Sequence, residues 1–148
     1  PASLLENHPL STQPQPGQYT KGLMWFRRDL RTHDNAALFY ALKHCQQVHC
    51  VFVFDKTILD ALANKADRRV EFIWESCMAL KTKLQGFGGD LHLVHDHAET
   101  AIPELATKLG IQAVFTNKDY EPAAIHRDIT VGKSLQSKGV ELFRFKDQ

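Results

Sequence analysis

Five short apolar runs recur along this chain with helical periodicity between them, and that alternation restricts the fold more than any other feature. The runs are Lys21–Phe26, Val48–Phe54, Leu91–His95, Ala113–Thr116 and Val140–Phe145. Aromatic and β-branched runs of this length suit strands buried on both sides. Asp34 or Asn35 is placed to cap a helix from Ala36 to about Cys45. Next, Val70, Ile73, Cys77, Leu80 and Leu84 make one apolar stripe at helical spacing, ending at GFGG, residues 86–89. A third helix near Glu99–Leu109 buries Ile102, Leu105, Ala106 and Leu109, with Gly110 closing it. Its Pro103 is harmless if it falls in the first turn, whose N–H groups have no helical partner. A fourth helix, roughly Pro122–Lys138, ends at Gly139.

Strand and helix in alternation call for a parallel sheet covered on both faces. The expected fold is therefore α/β: a five-stranded, Rossmann-like parallel sheet with helices on both faces and strand order 3-2-1-4-5. Such sheets bind ligands beyond the carboxyl ends of their strands, where the strand order reverses. Function is then to be sought in the loops Arg27–Asn35, Asp55–Ala66 and Asn117–Pro122.

At 148 residues the chain suits one domain. A net charge of +1 gives no bulk electrostatic drive toward nucleic acid. Cys45, Cys50 and Cys77 are odd in number and form no CxxC pair, which suits a reducing cytoplasm rather than a disulfide framework. No apolar run approaches a membrane span, and the start lacks the order of a secretory signal. Residues 1–20 carry four of the six prolines and a single charge, the composition of a flexible lead-in, so the domain is expected over 21–148.

Chemistry concentrates in RRDLRTHDN, residues 27–35, at the end of the first strand. Read blandly it is a solvated loop with ion pairs of about 0–1 kcal/mol each. Read functionally, its forked guanidinium groups can hold planar oxygens or carboxylates of another domain. Arg68 and Arg69 open the second helix against the macrodipole preference, as a docking or anion contact. In HLVHDH, His92 and His95 face opposite sides of a strand, so a metal site is not expected. GFGG follows a helix rather than joining strand to helix, and is not a dinucleotide fingerprint. No nucleophile–base pair stands out.

WFRRDLRTHDN at 25–35, directly after the first strand, resembles the opening signature of the DNA photolyase and cryptochrome family. VFVFD at 51–55, ADRRVEFIWES at 66–76 and TNKDYEPAAIHRD at 116–128 resemble further family blocks in the same order. The likeness runs over about residues 21–148. It implies an N-terminal α/β domain that commonly holds a light-harvesting antenna chromophore. It also implies a larger helical domain, following Gln148, that holds FAD, binds damaged DNA and performs electron transfer. By that comparison the chain alone is not catalytic, and on its own it is expected to be a monomer. The full-length protein would be a photo-lyase acting on cyclobutane pyrimidine dimers. The same domain in a cryptochrome-type blue-light receptor is the first alternative, and a stand-alone nucleotide-binding domain the second.

The resemblance also points to residues. Folate-using relatives contact the pterin through an asparagine and a glutamate where this chain has Ala123 and Ala124, which offer no side-chain hydrogen bond. Relatives binding deazaflavin or FMN use an arginine after strand one, an aspartate after strand two and an N-x-D-x-E-P loop. Those features fall here on Arg27 and Arg28, on Asp55 after Phe54, and on Asn117, Asp119 and Glu121. A flavin-type antenna, deazaflavin or FMN, is thus expected ahead of methenyltetrahydrofolate. A tricyclic ring needs both donors and acceptors in a largely apolar slot, which arginine and aspartate supply.

Overall fold

The computed structural model describes residues 18–56 and 68–146. Of the expected lead-in over residues 1–20, residues 1–17 lie outside the described residues, as do most of the second ligand loop (57–66) and the side chain of Arg68, whereas Tyr19 and Thr20 open the first strand, which pairs with the next one.

Five strands, β1 (Tyr19–Phe26), β2 (Cys45–Asp55), β3 (His92–Asp96), β4 (Ala113–Asn117) and β5 (Glu141–Phe145), form one sheet in the order β3-β2-β1-β4-β5. Every neighbouring pair is parallel, in the order the alternation led us to expect. Among the described residues, four helices lie in the crossovers: α1 (Ala36–His44), α2 (Arg68–Gly86), α3 (Ala98–Leu109) and α4 (Pro122–Ser137).

The two-residue alternation of each strand sorts the core into two layers. Met24, Phe26, Phe52, Phe54, Phe115 and Phe143 pack against Ala37, Leu38 and Ala41 of α1 and Cys77, Leu80 and Leu84 of α2. The other face sets Leu23, Trp25, Val51, Val53, Val114 and Leu142 against Ile102 and Ala106 of α3 and Val131 and Leu135 of α4. The chain thus winds outward from β1 over one face, then returns and winds the opposite way over the other. The reversal falls between β1 and β4, whose carboxyl ends lie side by side.

Local chemistry sets the boundaries. Asn35, not Asp34, caps α1, its Oδ1 accepting from Leu38 N at 3.1 Å, while Asp34 takes a left-handed φ of 50°. Gly110 ends α3 at φ 71°, a left-handed stop open to glycine. Gly22 is required by close approach, because a β-carbon there would stand 2.3 Å from Cys45 Sγ.

Two further boundaries depart from the sequence reading. β2 starts at Cys45, before its apolar run, because the backbone of β1 extends the ladder from Tyr19↔Cys45 onward, past the exposed Gln46 and Gln47. Pro103 lies in the second turn of α3 rather than the first, so the Glu99 carbonyl receives no N–H from it. The helix starts at Ala98, whose N–H donates to Asp55 Oδ2 at 3.3 Å at the end of β2.

Candidate functional site at the carboxyl edge of the sheet

Two networks of buried polar side chains meet where the strand order reverses. The first centres on Asn117, the last residue of β4. Its Oδ1 accepts from Ala37 N in the first turn of α1 at 2.9 Å. Its Nδ2 donates to Asp29 Oδ2 at 2.5 Å and to Asn35 Oδ1 at 2.8 Å. Asp29 Oδ1 in turn accepts from Arg27 N at 2.7 Å. Both amide hydrogens of Asn117 are used within the protein. Asn117 and Asn35 together satisfy N–H groups that a helix terminus otherwise offers to a phosphate.

The second network lies on the α3–α4 face. Arg27 continues the alternation of Leu23 and Trp25, and its guanidinium sits 4.8 Å above the Trp25 ring. Arg27 Nη1 donates to Asp128 Oδ1 at 2.5 Å, and Nη2 donates to the Asn117 carbonyl. Asp128, fully buried on α4, also meets Arg144 Nε of β5 through Oδ2 at 3.0 Å. The preceding residue, Arg127, brings its Nε to 3.7 Å from Asp55 Oδ2 at the end of β2. Adjacent residues of α4 therefore reach the ends of β1, β2 and β5. Removing a charge from such a buried group leaves its partner uncompensated, which fixes these side chains in place. Arg27 Nε is buried and finds no hydrogen-bond partner among the described residues.

At the rim, Arg28 is 77% exposed and its Nε stands 3.7 Å from Asp119 Oδ2. Asp119 Oδ1 accepts from Glu121 N at 3.0 Å, the local turn that starts α4, and the Glu121 side chain makes no cap bond. Phe54 lies on the opposite face from Asp55, edge-on to Phe52 at 4.8 Å and 5.8 Å from the ring of Trp74.

The structure thus brings Arg27, Arg28, Asn117 and Asp119 together at the strand reversal. Asp55 joins them through Arg127 rather than directly, and Phe54 stands apart on the α1–α2 face. Ala124 is buried and Ala123 exposed, so neither offers a side-chain hydrogen bond. His97 takes the N-cap position of α3 without a side-chain cap bond.

Sequence reasoning missed Arg127, Asp128 and Arg144. One signal was available: Arg144 interrupts the alternating apolar run of β5, an inward position where arginine needs a buried partner. Among the described residues no group of three or more metal-binding side chains occurs, and no helix is long and apolar enough to cross a membrane. The three cysteines are free and buried.

A family model described as DNA photolyase matches residues 22–148. A deoxyribodipyrimidine photo-lyase of Synechococcus sp. is 34% identical over 85% of this chain and 26% of its own length. A blue-light photoreceptor of Arabidopsis thaliana is 27% identical over 98% of this chain and 33% of its own length. An archaeal photolyase from Sulfolobus tokodaii, solved with two FAD molecules and an implied novel light-harvesting cofactor, superposes with a TM-score of 0.74 at 28% identity. That match covers 86% of this chain and 29% of the archaeal one. The chain therefore spans a third or less of each of these relatives.

Proposed function

The chain belongs to the DNA photolyase family, and from that premise we propose that it is the α/β domain that holds a light-harvesting chromophore for a flavin-dependent photolyase. The observation that carries this reading is the fixed polar floor at the carboxyl edge, where Arg27, Asp128 and Arg144 lock one another beneath the strand reversal. Fixed donors and acceptors under an open edge are what orient a planar polar ring. The saturated Asn117–Asn35 network argues against a stand-alone domain binding nucleotide phosphates at the first helix in the dinucleotide manner.

The residues present fit a flavin-type ring. Arg28 and Asp119 supply a donor and an acceptor at the rim, and Arg27, locked to Asp128, forms the floor beneath them. Asp55, aimed by Arg127 and the Ala98 N–H, lines the β2 side, while Phe54 stays on the opposite face of the sheet. Asn117 holds the loop in shape, and Glu121 starts the helix that carries Arg127 and Asp128. When bound, such a chromophore absorbs near-UV or blue light and passes the excitation to a catalytic flavin. The two FAD molecules of the archaeal relative add FAD to deazaflavin and FMN as candidates, and the two alanines disfavour methenyltetrahydrofolate.

In the whole protein this domain serves a helical FAD-binding domain that repairs cyclobutane pyrimidine dimers in DNA in the cytoplasm, and the 148-residue chain by itself is a monomer. The test is the action spectrum of full-length repair, with the chromophores released on denaturation. A second absorber beyond reduced FAD is expected, and a spectrum of reduced FAD alone overturns the light-harvesting role. The likeness of nearly all of this chain to a third of a plant blue-light photoreceptor, at 27% identity, supports a second reading, signalling. Absence of repair of a dimer-containing oligonucleotide under blue light would favour it.

A further inference from the structure

The two layers of the core differ in kind. Phe26, Phe52, Phe54, Phe115, Phe143 and Phe145 pack on the α1–α2 face, together with all three cysteines. The buried core on the α3–α4 face is aliphatic, and Trp25 is the one aromatic ring in it among the described residues. Trp25 is 1% exposed and shares its cluster with Leu23, Val51 and Val114. Bulk alone accounts for a large apolar ring in a core. What surrounds this one also governs the fate of any light it absorbs.

Three features preserve an excited indole here. Close packing holds the ring still and keeps water from it. The thiols, which deactivate an excited indole on contact, all lie in the other layer. Above the ring, 4.8 Å from its centroid, stands the Arg27 guanidinium, fixed by Asp128 and the Asn117 carbonyl. A guanidinium does not absorb near-UV light, and it parts the indole from the ligand edge. It therefore keeps the ring from stacking directly on a ligand, where electron transfer competes with energy transfer. Trp74, the other tryptophan of the chain, lacks this setting. It is half-exposed, lies on the opposite face against Phe54 at 5.8 Å, and shares α2 with Cys77.

We infer that Trp25 is an ultraviolet donor built into the light-harvesting site. Ultraviolet light absorbed by its indole passes as excitation energy to the chromophore at the strand reversal. The domain thereby harvests wavelengths shorter than those the chromophore itself collects well. The inference rests on the proposed chromophore site. The step moves energy only: no bond changes, no electron leaves Trp25, and the indole returns to its ground state. Indole in an apolar setting emits in the near-UV, where a flavin-type ring absorbs, so the two dipoles couple through space. Distance is no obstacle, because a domain of this size is only about 30 Å across and Trp25 lies directly beneath the Arg27 floor.

The experiment uses the chain carrying Trp74→Phe, so that Trp25 is the sole indole, with FMN as the probe. Excitation is set at the long-wavelength edge of indole absorption, beyond that of tyrosine. Within a domain about 30 Å across, loading with FMN should shorten the Trp25 emission lifetime roughly threefold or more. The excitation spectrum of bound FMN should gain an indole band over the absorption of FMN itself, which separates energy transfer from quenching by electron transfer. Adding Trp25→Phe should remove that band while FMN remains bound. If that second variant fails to fold, the lifetime and the band in the Trp74→Phe chain decide by themselves. An unchanged Trp25 lifetime in a chain that holds FMN, or a shortened one without the indole band, overturns the donor role and leaves the chromophore site standing. A chain that takes up no FMN overturns the flavin-type site, and the donor role with it.

Discussion

Replacing Asn117 by alanine tests the structural core of the candidate site. The side chain ties the end of β4 to the first turn of α1, to the α1 cap and to the loop after β1. A neutral hydrogen bond contributes about 1 kcal/mol net, and one to a charged group about 1.5–3 kcal/mol. Two neutral bonds and one to the Asp29 carboxylate therefore sum to about 4 kcal/mol. Asp29 is only half-buried, so water recovers part of that loss, and the expected destabilisation is about 3 kcal/mol. For a domain of this size that corresponds to a fall in Tm of roughly 10 °C. Urea unfolding followed by circular dichroism measures it, and an unchanged m-value would show that only stability moved. Asn117→Asp is the discriminating partner. It keeps the acceptor for Ala37 N–H but turns a second oxygen toward those of Asp29 and Asn35, so it should cost at least as much as alanine. A loss below about 1 kcal/mol for Asn117→Ala, or a mild Asn117→Asp, would refute the role of Asn117 as the tie of the strand reversal.

Three further outcomes follow from the same geometry. Asp128→Asn removes the carboxylate shared by Arg27 and Arg144 and should destabilise the chain by about 3–5 kcal/mol in urea unfolding, against under 1 kcal/mol if the pair were solvated. The His49 ring lies 6.0 Å from His92, and burial, then the charges of His92 and Lys21, hold its pKa below the ordinary 6.5. The folded state thus takes up this proton less readily than the unfolded one, so His49 costs stability as pH falls below about 6.5. His49→Gln should flatten the loss between pH 7.5 and pH 5, and an unchanged slope would sink the assignment. Burial pushes the thiols of Cys45, Cys50 and Cys77 up to about 12. A thiol reagent at pH 8 should leave native chain almost unreacted and titrate three thiols after unfolding in guanidinium. Because these folded pKa values are raised, stability is full below the unfolded thiol range and declines as pH rises from about 9 toward 12.

The sequence alone determined the elements, their order and the side of the sheet where chemistry gathers. Those depend on local rules: two-residue and three-to-four-residue periodicity, glycine stops after helices, and a cap before Ala36. The ordered blocks from WFRRDLRTHDN onward carried the family for the same reason, since each is contiguous in the chain. Boundaries slipped where a neighbour intervened, as when β1 extended β2 below its apolar run and Asp55 met the start of α3. Only the tertiary structure decided how the charged residues pair. Arg27 and Asp128 lie 101 positions apart, and Asn117 and Asp29 lie 88 apart, distances over which no periodicity speaks. Parallel crossovers bring such positions together by carrying the chain across the whole sheet before it returns. An arginine that reads from sequence as a ligand donor, Arg27, becomes a fixed part of the floor with one buried donor remaining. Its partner Asp128 ends the block at 116–128, but its pairing could not be read there because the neighbour it meets is one that only the fold supplies.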